Sequence, residues 1–123
     1  MVVIKLPTEH DEQVTLIKRC DWNKKRFPAL RLLYAIPNGG VRHVIVARKL
    51  KAEGVRAGVP DLCLPVPRGG KHGLYLEMKR TKGGEVSKAQ KEWHEALRQE
   101  GYECAIAKGA EEAWSIIVEY LQQ

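Results

Sequence analysis

Apolar positions along the chain recur at helix-like and strand-like spacings in turn. Gln13, Leu16, Ile17 and Cys20 lie three and four apart, the spacing of one helix face. Thr8 precedes them as a cap, Asp11 stands at the reciprocal capping-box position, and acids fill the first turn, so a helix runs to about Lys24. Leu30 to Ile36 (LRLLYAI) is a short apolar run closed by Pro37-Asn38-Gly39-Gly40, which reads as a strand entering a turn. Val41 to Glu53 reads as a second helix with Val46, Ala47 and Leu50 inward and Gly54 as its stop. Gly54, Gly58 and Pro60 punctuate a loop before the strand Asp61 to Val66. Residues 68–73 form a hairpin connection into Leu74 to Arg80, which alternates at period two with Leu74, Leu76 and Met78 on one face. Ser87 opens a third helix with Ala89, Trp93, Ala96 and Leu97 inward and Gly101 at its end. Tyr102 to Ala107 is a further strand, and Ala113, Ile116, Ile117, Tyr120 and Leu121 trace the stripe of a last helix. The order α-β-α-β-β-α-β-α is that of an α/β fold, and without a repeat or composition break residues 1–123 read as one domain.

Composition narrows this. At 44% hydrophobic residues the chain has too much apolar content to stay disordered. It has no run approaching the roughly 18 apolar residues of a membrane span. The N-terminal MVVIKLPTEH lacks the ordering of a signal peptide. Cys20, Cys63 and Cys104 are odd in number and widely spaced, a poor disulfide or zinc framework that suits a reducing cytoplasm. His10, His43, His72 and His94 never pair at helical ligand spacing, which weakens a histidine metal site. With 21 Lys+Arg against 15 Asp+Glu, the net charge of +6 leaves a polyanion as the natural partner.

Chemistry concentrates in Pro60-Asp61, then fifteen residues, then Glu77-Met78-Lys79. Glu77 and Lys79 share one strand face, opposite Leu76 and Met78, and the 68–73 turn folds Asp61 back beside them. Two carboxylates on adjacent strands converge at metal-chelating distance, with an ammonium one strand repeat away; hard oxygen ligands suit Mg²⁺ or Mn²⁺. Such a cation stabilises charge on an attacked phosphodiester and lowers the pKa of its water, while Lys79 orients that water. The plainer reading is an exposed Glu-Lys pair on an edge strand.

In sequence these residues resemble the PD-(D/E)XK nucleases, and the wider pattern resembles their virus-type replication-repair (VRR-NUC) branch. The resemblance includes Ile36-Pro37-Asn38-Gly39-Gly40, Gly58-Val59-Pro60-Asp61-Leu62, Leu74-Tyr75-Leu76-Glu77-Met78-Lys79, Val86-Ser87…Gln90…Trp93 and Leu97…Gly101-Tyr102. It implies a restriction-endonuclease-like core, a mixed central sheet of about four strands flanked by helices, here with an added helix around 42–53. It further implies a Mg²⁺- or Mn²⁺-dependent endonuclease, a homodimer acting on branched or structured DNA such as Holliday junctions or flaps. The setting would be the cytoplasm of a bacterial or phage-infected cell, at the nucleoid when acting.

By that resemblance Asp61 and Glu77 are the metal carboxylates, the backbone carbonyl of Met78 is a further ligand, and Lys79 is the catalytic lysine. Gln90 matches a glutamine oriented near the active site. Ser87-x-x-Gln90 is also a capping box, and one side chain serves both roles only in alternate states. An acidic residue of the first helix should face the metal; Glu9 and Glu12 compete, and Glu9 lies closer to the apolar stripe. Asn38-Gly39-Gly40-x-Arg42 offers backbone N–H groups and a guanidinium to phosphate, against the reading of an ordinary turn. Arg80 and Lys82 follow directly on the catalytic strand and are the foremost DNA contacts among many basic residues that include Arg68 and Lys71. Gly69-Gly70-Lys71 is no nucleotide-binding loop, since Pro65 stands where its first Gly belongs and His72 replaces Ser/Thr; no nucleotide cofactor is expected. Trp22, Trp93 and Trp114 sit at core-like helical spacing. A non-catalytic DNA-binding module of the same fold is the alternative function, and RNA stands beside DNA because the triad reads a phosphodiester and not a sugar.

Overall fold

The computed structural model describes residues 5–37 and 44–123. Thr8 caps α1 (Glu9–Trp22): its hydroxyl accepts the Asp11 N–H while the Asp11 carboxylate accepts the Thr8 N–H, the reciprocal pair expected from the sequence. A 3₁₀ turn (Pro28–Leu32) leads to β1 (Tyr34–Ala35), then α2 (Val44–Ala52), β2 (Leu62–Leu64), β3 (Leu74–Lys79), α3 (Lys88–Gln99), β4 (Glu103–Lys108) and α4 (Ala110–Leu121). The sheet order is β1-β2-β3-β4, antiparallel across the first two pairs and parallel between β3 and β4. This is the mixed four-stranded α/β architecture that the family resemblance implied.

β2 and β3 are joined by a tight reversal in which the Arg68 and Lys71 backbones exchange hydrogen bonds of 3.1 and 2.8 Å. Gly69 and Gly70 occupy its two central positions at φ of 54° and 79°, the left-handed pair that an I′ turn requires and that a Cβ penalises. β3 is thereby an interior strand. One face of the sheet turns Leu62, Leu64, Leu74, Leu76 and Met78 into a core closed by Leu16 and Cys20 of α1 and Ala113, Ile117 and Tyr120 of α4. The buried Tyr120 hydroxyl donates to the Val66 carbonyl at 2.6 Å, tying α4 to the chain beyond β2. The other face is partly covered by α3, which Ser87 caps in the same reciprocal manner as α1.

Four expectations are corrected. The 30–36 run is mostly not a strand: Pro28, with its fixed φ, opens the 3₁₀ turn, Leu30 alone within that turn is buried, and only Tyr34 and Ala35 pair with β2. A short apolar run has no period long enough to separate the two outcomes. In α2, Val46 and Ala47 face solvent and Leu50 is half-buried, because no described layer covers that helix. In α3, Ala96 is exposed and the fully buried residue is His94. Trp22 is 83% exposed as the last residue of α1, whereas Trp114 is buried. Among the described residues no helix is long and apolar enough to cross a membrane.

Candidate active site

The site is built where β2 has ended and β3 continues. The register pairs Leu62 with Leu76, so Asp61 falls beside Glu77 and Pro60 beside Met78. The Asp61 carbonyl accepts the Ile36 N–H at 2.8 Å on the β1 side, and in an alternating strand Leu62 and the position of Pro60 therefore face β3. Proline has no N–H, so the next ladder bond to the Met78 carbonyl cannot form from that side. The Met78 N–H is taken instead by the Asp61 side chain, whose Oδ2 accepts it at 2.7 Å. A proline before the aspartate thus ends the ladder, frees a carbonyl and fixes a carboxylate at one point.

Glu77 and Lys79 project from the face opposite the leucines, yet they are only 2% and 6% exposed, which removes the reading of a solvated edge-strand pair. Burial pushes the Glu77 carboxyl up to about 9. The hydrogen bond and charge of Asp61 and the charge of Glu9 add to this, and the Lys79 ammonium opposes it. A carboxyl group as dry as that of Glu77, with a second one beside it, resists ionisation unless a cation lies against it. His94 on α3 brings Nε2 to 3.4 Å from Glu77 Oε1. Burial, followed by the charges of Arg98 and Lys79, lowers the His94 pKa, so the contact joins a neutral imidazole to the carboxyl group. Sequence spacing missed His94; its signal was its place four residues after Gln90, on the same helix face.

Lys79 Nζ donates to Gln90 Oε1 at 3.2 Å, and the same oxygen accepts the Ser87 N–H at 2.9 Å. Capping and site roles are therefore held simultaneously, not in alternate states, because a carbonyl oxygen has two lone pairs. The α3 cap and the β3 lysine share one atom as their acceptor.

The two candidate acids of α1 diverge. Glu12 is buried, and its Oε2 fills the space where a Cβ on Gly109 would lie 2.8 Å away. Gly109 is the N-cap of α4 and supplies no side-chain cap, so a carboxylate there meets the positive end of that helix. Glu9 is exposed, its Oε1 lies beside Gly84 and the Lys79 stem, and its charge is felt at Glu77. Arg80 and Lys82 are exposed just beyond β3. Asn38, Gly39, Gly40 and Arg42 lie outside the described residues.

Among the described residues no group of three or more His, Cys, Asp and Glu gathers as a metal cage. What is present is a carboxyl pair, the half-buried Asp61 and the buried Glu77, beside the Met78 carbonyl that Pro60 leaves without a ladder donor. One or two carboxylates plus a neutral oxygen fit a hard divalent cation that keeps several waters, and the suppressed ionisation of Glu77 is what such a cation relieves. Every buried side-chain nitrogen and oxygen among the described residues has a partner, so the cluster is organised before anything binds.

Two comparisons bear on this arrangement. A family model described as the VRR-NUC domain matches residues 3–111. Among solved structures, the chain is similar to one described as a "VRR_NUC domain protein", at 33% identity and a TM-score of 0.80 over 96% of this chain and 91% of that one. No curated protein sequence matches the chain.

Proposed function

The chain belongs to the VRR-NUC family, whose domain has a nuclease-type fold, and on that premise we propose that it is a Mg²⁺- or Mn²⁺-dependent DNA endonuclease. The observation that carries the reading is the Asp61–Glu77 pair, Asp61 half-buried and Glu77 buried, with Lys79 held beside it by Gln90. Asp61, Glu77 and the Met78 carbonyl hold the cation, and Glu9 adds negative charge at its rim. Bound there, a divalent cation supplies Lewis-acid stabilisation of the phosphate and acidifies water. Lys79, fixed by Gln90, positions the attacking water and offsets charge on the pentacovalent phosphorus. Arg80 and Lys82 anchor the DNA backbone next to the cut. A simple binding module gains nothing from converging carboxylates, which repel phosphate.

The preferred substrate is branched or structured DNA in the cytoplasm, and the working unit is a homodimer, since one small domain grips only one arm of a junction. Asp61→Asn and Lys79→Ala are expected to abolish cation-dependent cleavage while circular dichroism and thermal unfolding stay near wild type. Undiminished cleavage by Lys79→Ala overturns the proposal. A panel of duplex, flap, splayed-arm and four-way junction DNA reads the substrate preference, and light scattering at micromolar concentration reads the dimer.

A further inference from the structure

A strip of aromatic groups runs away from Glu77 along the same face of the sheet and ends, through His72, at a basic concavity on the β2–β3 hairpin beside Gln123. Tyr75 precedes Glu77 by two residues and so shares its face. The direct pairings Tyr34↔Cys63 and Cys63↔Tyr75 put Tyr34 on that face too, 49% exposed. The Tyr102 ring lies edge-on to Tyr75 with centroids 5.3 Å apart, and His72 lies edge-on to Tyr102 at 5.6 Å. His72 in turn lines a concavity of about 500 Å³ with Arg68 and Lys71, into which the Gly69-Gly70 backbone also opens and which no acidic side chain lines. From His72 to Glu77 is five strand steps, about 17 Å at about 3.3 Å each.

We propose that this strip is a track for an unpaired DNA strand, with its phosphates held by Arg68 and Lys71 and its bases stacked against the His72–Tyr102–Tyr75 row, with Tyr34 as its outer flank. The track rests on the nuclease reading above and deepens it by naming the substrate feature: a single-stranded segment adjoining the scissile phosphate. A row of aromatic rings that ends at a cationic concavity is what a strand with splayed bases recognises, because every base has a π-face and every linkage a charge. A paired duplex keeps its bases stacked on each other and offers such a row nothing. Burial holds the Tyr75 phenol up to about 12, with Cys63 adding to the effect, and Tyr34 is raised as well through its hydrogen bond to Cys63. Neither ring therefore carries negative charge against the phosphates at neutral pH.

The test uses the full chain with Ca²⁺ in place of the catalytic cation and fluorescent DNA that is blunt or carries a 5′ or 3′ unpaired tail. Wild-type protein should bind one tailed form about tenfold more tightly than the blunt duplex, the size expected from one or two base–aromatic stacks. Replacing Arg68 and Lys71 together by Ala should bring that preference below about threefold and flatten the salt dependence of tailed binding by about one to two charges. A 2-aminopurine in the tail should be quenched on binding, and Tyr34→Ala or Tyr102→Leu should relieve the quench; the exposed Tyr34 makes its variant safe for folding. Equal wild-type affinity for blunt and tailed DNA overturns the track and leaves the nuclease reading standing. A preference that survives Arg68→Ala/Lys71→Ala overturns the track in the same way. Failure to bind any DNA overturns both.

Discussion

β3 carries a glutamate and a lysine into the interior, whereas α2 holds three aliphatic residues in water: Glu77 and Lys79 are buried, and Val44, Ile45 and Val46 are exposed. Burial in this molecule follows from where an element lies in the layers, and residue polarity decides what the burial then requires. β3, an interior strand between β2 and β4, leaves Tyr75 half-buried but buries Glu77 and Lys79, so its two charged residues must find partners, and they do in Asp61, His94 and Gln90. Among the described residues no layer covers the apolar side of α2, and so no such requirement arises. The largest effect should come from the leucine side of β3. Leu76→Ala is expected to destabilise by about 2–5 kcal/mol in urea unfolding, the range for a fully buried leucine.

The polar side of β3 should show itself next, through pH. Glu77 binds a proton more tightly in the folded chain than in the unfolded one, so its stabilising contribution is complete below about pH 4.5 and is lost as pH rises towards about 9. His94 has the opposite sign: its lowered pKa costs stability only as pH falls below its ordinary value near 6.5. The window between about 6.5 and 9 therefore isolates Glu77 from His94. In EDTA the melting temperature should fall across that window, Glu77→Gln should flatten the fall, and Mn²⁺ should reverse it. Mn²⁺ affinity should also rise with pH, with proton release seen by calorimetry in buffers of different ionisation enthalpy. A pH-independent melting temperature in EDTA contradicts the suppressed ionisation of Glu77.

Gln90 tests the junction between the two kinds of element, since one oxygen closes α3 and holds Lys79. Gln90→Ala is expected to cost about 1–2 kcal/mol from the lost cap and the unpaired lysine. It should also lower the cleavage rate more than DNA affinity. Gln90→Glu, which keeps an acceptor for both donors, should restore stability and part of the rate.

Much of this was legible beforehand for a physical reason. Capping boxes at Thr8 and Ser87, the two-residue period of 74–79 and the glycine pair at 69–70 are local chemistry, and each formed the element it specifies. Asp61, Glu77 and Lys79 were placed together by period and turn alone, because one hairpin register fixes all three. The illegible features depend on what lies across the interior. His94 reads as one more helical polar residue until α3 is laid on Glu77. The double use of Gln90 Oε1 requires the end of β3 to meet the start of α3. The 30–36 run failed because seven apolar-rich residues carry no period, and Pro28 decided the outcome from outside the run.

α2 gives the smallest expected effect and the cleanest end of the comparison. Its period is that of an amphipathic helix, yet among the described residues no layer covers the stripe, and Val46 is 44% exposed. Val46→Lys removes aliphatic surface that already touches water, so it should change unfolding free energy by less than about 0.5 kcal/mol, as for most surface substitutions. Light scattering on the same variant separates two meanings of that exposure. An unchanged particle size leaves α2 as a solvated helix. A smaller size at unchanged monomer stability makes the helix part of the surface on which two copies meet, and then the aliphatic residues of α2 are buried after all, by the second copy rather than by the sheet.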